Sequence, residues 1–128
     1  MRTHLLSRLE IAGREKALAL ELEFDFYRAK RVLKLEIDFD GDSELSPSLR
    51  LDLGYEAGPI RYKLGLLFED VRELTLPTMT PLLFLPELEI EDVRERMMEG
   101  VRFEVISHFE RAFRCTCGNM SILFFEPA

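Results

Sequence analysis

Between Ala17 and Asp40 the sequence alternates apolar and polar residues almost without a break, and few folds accommodate such a pattern. Leu18, Leu20, Leu22, Phe24 and Phe26 alternate with Ala19, Glu21, Glu23 and Asp25. After Tyr27–Lys30, Leu33, Leu35, Ile37 and Phe39 alternate with Lys34, Glu36 and Asp38. Alternation of this kind puts one set on a buried face and the other towards water. A helix, at about 100° per residue, would set Leu18, Leu22 and Phe26 on one side and Leu20 and Phe24 nearly opposite. The spacing therefore predicts a long β-hairpin, despite the helix propensity of Glu, Ala and Leu. Pairing Phe26 with Leu33 also pairs Phe24 with Leu35, Leu22 with Ile37 and Leu20 with Phe39, which fixes the register.

The same signal recurs downstream. Residues 1–13 hold Leu5, Leu6, Leu9 and Ile11 before Gly13, and fit either a short helix or a first strand. Leu49, Leu51 and Leu53, then Ile60, Tyr62, Leu64, Leu66 and Phe68, predict a second hairpin turning at Gly54–Pro59. Its outer face carries Arg50, Arg61 and Lys63. Glu69-Asp70 interrupts the run, so a bulge or tight bend is expected at 69–71. Pro77, Pro81 and Pro86 frame Leu82–Leu85, which suits an edge strand or a packed loop and is expected to be buried. Ile90, Val93 and Met97 recur at helical spacing, with acids early and Gly100 at the end, so a short helix is expected near 89–98. Val101, Phe103 and Val105, then Phe113, Cys115, Cys117, Met120, Ile122 and Phe124, return to strand patterning.

Roughly seven to nine short strands in sequential hairpins signal an all-β fold, either an antiparallel sandwich or an open barrel. The 128 residues show no composition break, which predicts one domain spanning 1–128. With 47% apolar residues and ten Phe, the chain can bury a sizeable core. The net charge of −7 turns away nucleic acid and favours a basic partner. No apolar run suits a signal peptide or a membrane span. Cys115 and Cys117, badly placed to bond to each other, are expected as reduced thiols in a cytoplasmic protein.

Three clusters are candidates for chemistry. In the first hairpin's register Glu23 opposes Glu36 and Glu21 opposes Asp38, and like charges facing each other destabilise a sheet. A neighbouring strand can offset that cost with Arg50, Arg61 or Lys63. Alternatively Glu21, Glu23, Asp25, Glu36 and Asp38 form an acidic docking face for a basic protein. Glu36–Glu44 partly matches a calcium loop, but Pro47 stands where the twelfth ligand should be, and an acidic turn is the better account. Cys115-Thr116-Cys117 has only His4 and His108 to complete a zinc site, so buried core thiols are expected. No phosphate loop, nucleophile elbow or His-Glu-x-x-His motif is present, and no catalytic residue, metal or cofactor is assigned.

Phe68-Glu-Asp-Val-Arg-Glu-Leu-Thr-Leu-Pro77, Leu88-Glu-Ile-Glu-Asp-Val93, Phe103-Glu-Val105 and Phe113-Arg-Cys115 carry a resemblance. Over this C-terminal half the chain resembles small uncharacterised bacterial β-proteins, including immunity proteins of polymorphic toxin systems. The resemblance implies stoichiometric binding of a cognate toxin, often by an acidic face, and transfers no individual binding residue. The chain thus reads as a non-catalytic interaction protein engaging a basic protein partner through an acidic sheet face. The alternative is a small-molecule-binding β-barrel or a small enzyme with a cavity between sheets. Self-association through an edge strand or the 82–85 segment is a further expectation.

Overall fold

The hairpin expected from Leu49 to Phe68 is present, but its turn is only Gly58-Pro59, because Gly54–Ala57 finds partners in Ile60–Lys63 and continues the strand; the rest of the sheet is assembled on it. The computed structural model describes residues 2–39, 47–76, 84–96, 100–107 and 113–128. Strands β3 (Ser48–Ala57) and β4 (Ile60–Thr75) pair antiparallel, with Leu49 opposite Phe68, Leu51 opposite Leu66 and Leu53 opposite Leu64. All six side chains are buried. Gly58, at φ 62°, takes the first position of the two-residue turn, where a positive φ matches the twist of the strands. The irregularity expected at 69–71 is also found. Asp70 adopts φ 55° and the register shifts between Val71 and Glu73 while β4 continues.

Seven antiparallel strands form one sheet in the order β1-β5-β6-β7-β4-β3-β2. The remaining members are β1 (Arg2–Thr3), β2 (Ala29–Asp38), β5 (Leu88–Asp92), β6 (Phe103–Ser107) and β7 (Phe113–Pro127). The fold is all-β, as the patterning implied. Its two edges are drawn together. Residues 4–6, following β1, bond to residues 24–26, which lead into β2: the Phe26 amide donates to the His4 carbonyl at 2.7 Å and the Leu6 amide to the Phe24 carbonyl at 3.2 Å. The Leu85 amide, just ahead of β5, donates to the Lys30 carbonyl at 2.7 Å. Of the two architectures expected, the arrangement is the open barrel.

The first hairpin does not form. Arg14–Leu18 is a short helix, α1, and Phe26–Arg28 is a single 3₁₀ turn. Helix propensity won where the alternation served no sheet: the Ala19 and Glu21 amides donate to the Glu15 and Ala17 carbonyls. Leu20 and Leu22 are left 52% and 82% exposed, so they are not core residues at all. Strand β2 takes β3 as its partner, with Val32, Leu35 and Ile37 opposite Leu53, Leu51 and Leu49. A register shift between Val32 and Lys34 turns Leu33 outward.

The helix expected near 89–98 is likewise corrected. Leu88–Asp92 is strand β5, followed by one 3₁₀ turn at Arg94–Arg96. Ladders offered on both sides, by β1 and β6, outweigh the helical spacing of Ile90 and Val93. Residues 1–13 contain both alternatives, a two-residue strand and a 3₁₀ turn at Leu6–Arg8. Within 82–85, Leu85 is buried and Phe84 is 48% exposed, while Leu82 and Leu83 lie outside the described residues.

The N-terminal arm fills the inside of the sheet. Leu6, Leu9, Ile11, Ala17, Phe24 and Phe26 join the inward side chains of β3, β4 and β7 in one core. The Phe24 ring stacks on Tyr55 at 4.6 Å and meets Phe125 edge-on at 5.2 Å. Aromatic pairs of this kind add about 0.5–1.5 kcal/mol each beyond burial. The arm is anchored where the Ile122 amide donates to the Ala12 carbonyl at 2.8 Å. Next to that bond Gly13 sits at φ 81°, and a Cβ there would fall 2.3 Å from the Ile122 carbonyl oxygen. Gly58 also has a positive φ, but nothing lies within 4 Å of its missing Cβ. Gly13→Ala should therefore destabilise by more than Gly58→Ala, which costs about 1 kcal/mol for backbone strain alone. Urea denaturation of the two variants measures the difference, and equal losses would show that the arm does not depend on this contact.

Candidate functional site

Lys34 and six arginines are ion-paired; Arg8, Arg14, Lys16 and Arg72 have no ion pair with a described residue and lie outside the groove that gathers five further unpaired cations. Arg2, Arg50, Arg94, Arg96, Arg102 and Arg114 all form ion pairs. Arg28, Lys30, Arg31, Arg61 and Lys63 form none with any described residue, and all five line one groove of about 650 Å³. That volume lies within the range of roughly 300–1,000 Å³ usual for binding sites. Glu56 is the one side-chain carboxylate among the lining residues.

Local structure gathers these side chains. Arg28 ends the 3₁₀ turn that Asp25 caps, its carboxylate accepting from the Tyr27 amide at 2.9 Å. Lys30 and Arg31 follow at the start of β2, where the register shifts between Ala29 and Arg31. That shift sets Arg31 opposite Gly54, which itself pairs with Lys63. Arg61 and Lys63 occupy outward positions of β4, so the alternation that buries Leu64 and Leu66 presents both cations. Tyr55 and Tyr62 form part of the lining, and Leu33 and Phe84, both about half exposed, flank it. The Tyr55 hydroxyl accepts from the Asp25 amide at 3.1 Å, and burial pushes its pKa up despite that bond.

The approach to the groove is braced. His4 Nδ1 lies 2.7 Å from Asp25 Oδ1, and its ring stacks on Tyr27 at 4.0 Å. The Tyr27 hydroxyl donates to Glu89, which with burial pushes the phenol up to about 12. Tyr27 thus stays neutral at physiological pH and ties the turn bearing Arg28 to β5.

The structure separates the acids expected to share a face. Glu21 and Glu23 lie on the loop after α1, Asp25 is engaged by His4 and the Tyr27 amide, and Glu36 and Asp38 lie on β2. Glu36 faces Arg50 and pairs with Lys34 at 3.4 Å, while Asp38 faces Ser48. The pairings of Glu23 with Glu36 and of Glu21 with Asp38 do not exist, because they required the absent hairpin. A like-charge pair does occur elsewhere: Glu91 faces Glu104 across β5 and β6, each less than a tenth exposed. Arg2 and Arg114 hold Glu104 at 3.1 and 2.9 Å, and Arg96 holds Glu91 at 2.8 Å.

Cys115 and Cys117 are buried free thiols, as expected of core residues. The neighbouring Cys115 thiol and burial push Cys117 well up, away from thiolate chemistry. His4 is committed to Asp25, His108 lies outside the described residues, and no cluster of three metal-ligating side chains occurs among those described. Most of the acidic turn at 36–44 also falls outside them. The groove's cations were visible in part, since Arg61 and Lys63 stand out as outward residues of the second hairpin. The run Arg28-Ala-Lys-Arg31, three cations in four residues of an acidic chain, is the signal that marks the rest.

A family model described as "Immunity protein PIM8" matches residues 45–122, well over half of the chain. This chain belongs to that immunity protein family. The matched span runs from the start of β3 through most of β7, and includes Arg61 and Lys63 of the groove. No curated protein and no solved structure gave a match.

Burial pushes the Glu104 carboxyl up, but Arg114 and then Arg2 outweigh it and hold it below the usual carboxylate range. A carboxyl lowered in the folded state contributes stability above its unfolded pKa and loses it as pH falls through the folded value. Glu104→Gln should cost about 1–3 kcal/mol at neutral pH. That deficit should close in acid, where the native protein loses the same charge. A deficit independent of pH in denaturant titrations would assign the loss to packing instead.

Proposed function

We propose that this immunity protein neutralises a cognate toxin by forming a stoichiometric complex with it, using the side of the barrel where β2 forms the sheet edge. The family match carries the reading. The choice of surface is supported by what β2 and its surroundings offer: half-exposed Leu33 and Phe84 beside unpaired cations, against the ion-paired Arg96 after β5 and Arg114 on β7. Apolar anchors within a charged rim are what a specific protein interface needs. Edge strands also present backbone groups to an incoming chain.

The test is co-expression with candidate toxins from the same genome. Restored growth, together with an equimolar complex on size-exclusion chromatography with light scattering, is the expected result. Absence of both protection and a complex would remove the immunity reading.

A second reading rests on the net charge of −7, whose field favours a basic toxin. In that case Glu23, Glu36 and Asp38, which are exposed, and Glu21, which is partly so, would meet the partner. Reversing Glu21 and Glu23 to Lys should then weaken the complex and reduce its salt dependence. Unchanged affinity would take these acids out of the interface.

A further inference from the structure

The groove beside β2 is chemically at odds with the molecule that carries it. A chain of net charge −7 places five cations and one side-chain carboxylate around a single concavity. Arg8, Arg14, Lys16 and Arg72 also lack an ion pair with a described residue, so what sets these five apart is their gathering around one concavity, in contrast to the Glu91–Glu104 pair, which is surrounded by three arginines that answer it. Like charges crowded together repel one another and lower stability unless something anionic joins them. We infer that the groove formed by Arg28, Lys30, Arg31, Arg61 and Lys63 receives an extended acidic polypeptide segment. On the immunity reading above, that segment belongs to the toxin.

Several features favour a polypeptide over other anions. The cations come from a turn and two strands, β2 and β4, so they are spread over the site. A compact phosphate site is built differently, from converging backbone amides at a helix N-terminus or a Gly-rich loop. The groove borders the edge strand β2; its Lys30–Arg31 end is already bonded to Leu85 and bridged to Phe84, so an extended chain would add its own hydrogen bonds from Leu33 onward. Leu33 and Phe84 can take the apolar side chains that alternate with acidic ones in such a strand. The tyrosine hydroxyl of Tyr62 and the guanidinium forks of Arg28, Arg31 and Arg61 are suited to carboxylates, which arginine grips through two parallel hydrogen bonds. A long nucleic acid would meet the negative field of the rest of the surface.

Gly54 supplies the space. It stands between Arg31 and Lys63 across the strands, and a glycine inside a strand marks a place where another group approaches closely. A Cβ at Gly54 would meet the Arg31 Cβ at 3.6 Å, an ordinary contact, so the position tolerates a side chain. Gly54→Val therefore fills the floor of the groove without removing any charge.

The test uses a fluorescein-labelled octaglutamate peptide titrated into the full chain by anisotropy. ADP and an oligothymidine serve as competing probes, and labelled octalysine is titrated into the protein separately. Saturable binding of octaglutamate is expected. Arg31→Glu and Lys63→Glu should each weaken it by about tenfold, as for loss of one charge-assisted contact, and Gly54→Val should weaken it comparably. Arg8→Glu makes the same charge change on an exposed arginine outside the groove, and should leave affinity within about twofold. Circular dichroism melts of each variant establish that the fold is retained.

No saturable binding, or equal loss in Arg8→Glu, would overturn the inference, as would tighter binding of ADP, oligothymidine or octalysine than of octaglutamate. With the toxin in hand the two readings separate. A complex indifferent to the groove variants overturns this inference and leaves the immunity function standing. Peptide binding without any toxin complex supports the groove and removes the immunity function.

Discussion

The antiparallel ladder between β4 and β7 is what the rest of the molecule hangs from. Twelve residue pairs run from Tyr62 opposite Pro127 to Thr75 opposite Arg114, the longest pairing in the sheet. On one side β4 carries β3 and then β2; on the other, β7 carries β6, β5 and β1. The N-terminal arm fastens to the same ladder at Ile122, and its Phe24 packs against Phe125 of β7. Since β7 comes last in sequence, the two halves of the sheet meet only when residues 113–127 arrive. Such long-range pairing makes folding slow compared with a protein built from local contacts.

What the sequence disclosed, and what it withheld, follows from where hydrogen-bond partners were available. Leu49–Leu53 and Leu64–Phe68 were legible because their alternation, their turn and their partners all lie within twenty residues of chain. The stretch from Leu18 to Phe26 alternates equally well, yet only Phe24 and Phe26 are buried. Strand β3 has two edges, taken by β4 and β2, and nothing in the local pattern of residues 18–22 could say so. At Ile90 and Val93 the apolar spacing suits a helix, but neighbours distant in sequence supplied ladders on both sides. The bulges in β2 posed a third problem: once the register slips at Val32, an outward Leu33 and an inward Val32 exchange the roles that simple alternation gives them.

The same slip decides the chemistry. Without it, the parity of β2 would place Arg31 with the inward residues; with it, Arg31 lies beside Gly54 and Lys63 on the outside. A carboxylate pair and a set of cations thus end up on different parts of one sheet, and they are treated in opposite ways. Around Glu91 and Glu104 every charge is answered by a partner, which is how a nearly buried carboxylate survives. Around Gly54 the charges are left without described partners, and an immunity protein has reason to keep such a surface available. Membership of the family speaks for protein binding in general, and the surface proposed for it lies at these local departures from regular pairing.

The separation of charge has a consequence that the net value conceals. A molecule that is negative as a whole yet positive along one groove has an electric dipole, and a dipole experiences a torque in the field of an approaching partner. Rotation during encounter is fast compared with translation over the same distances, so the torque turns the favoured side towards the incoming surface before contact. With the groove as the proposed toxin-binding face, the first collision would already have the orientation of that complex, and fewer encounters would be wasted on the wrong face. For a protein whose task is to intercept a toxin before it acts, the orientation of arrival counts as much as the strength of the final grip.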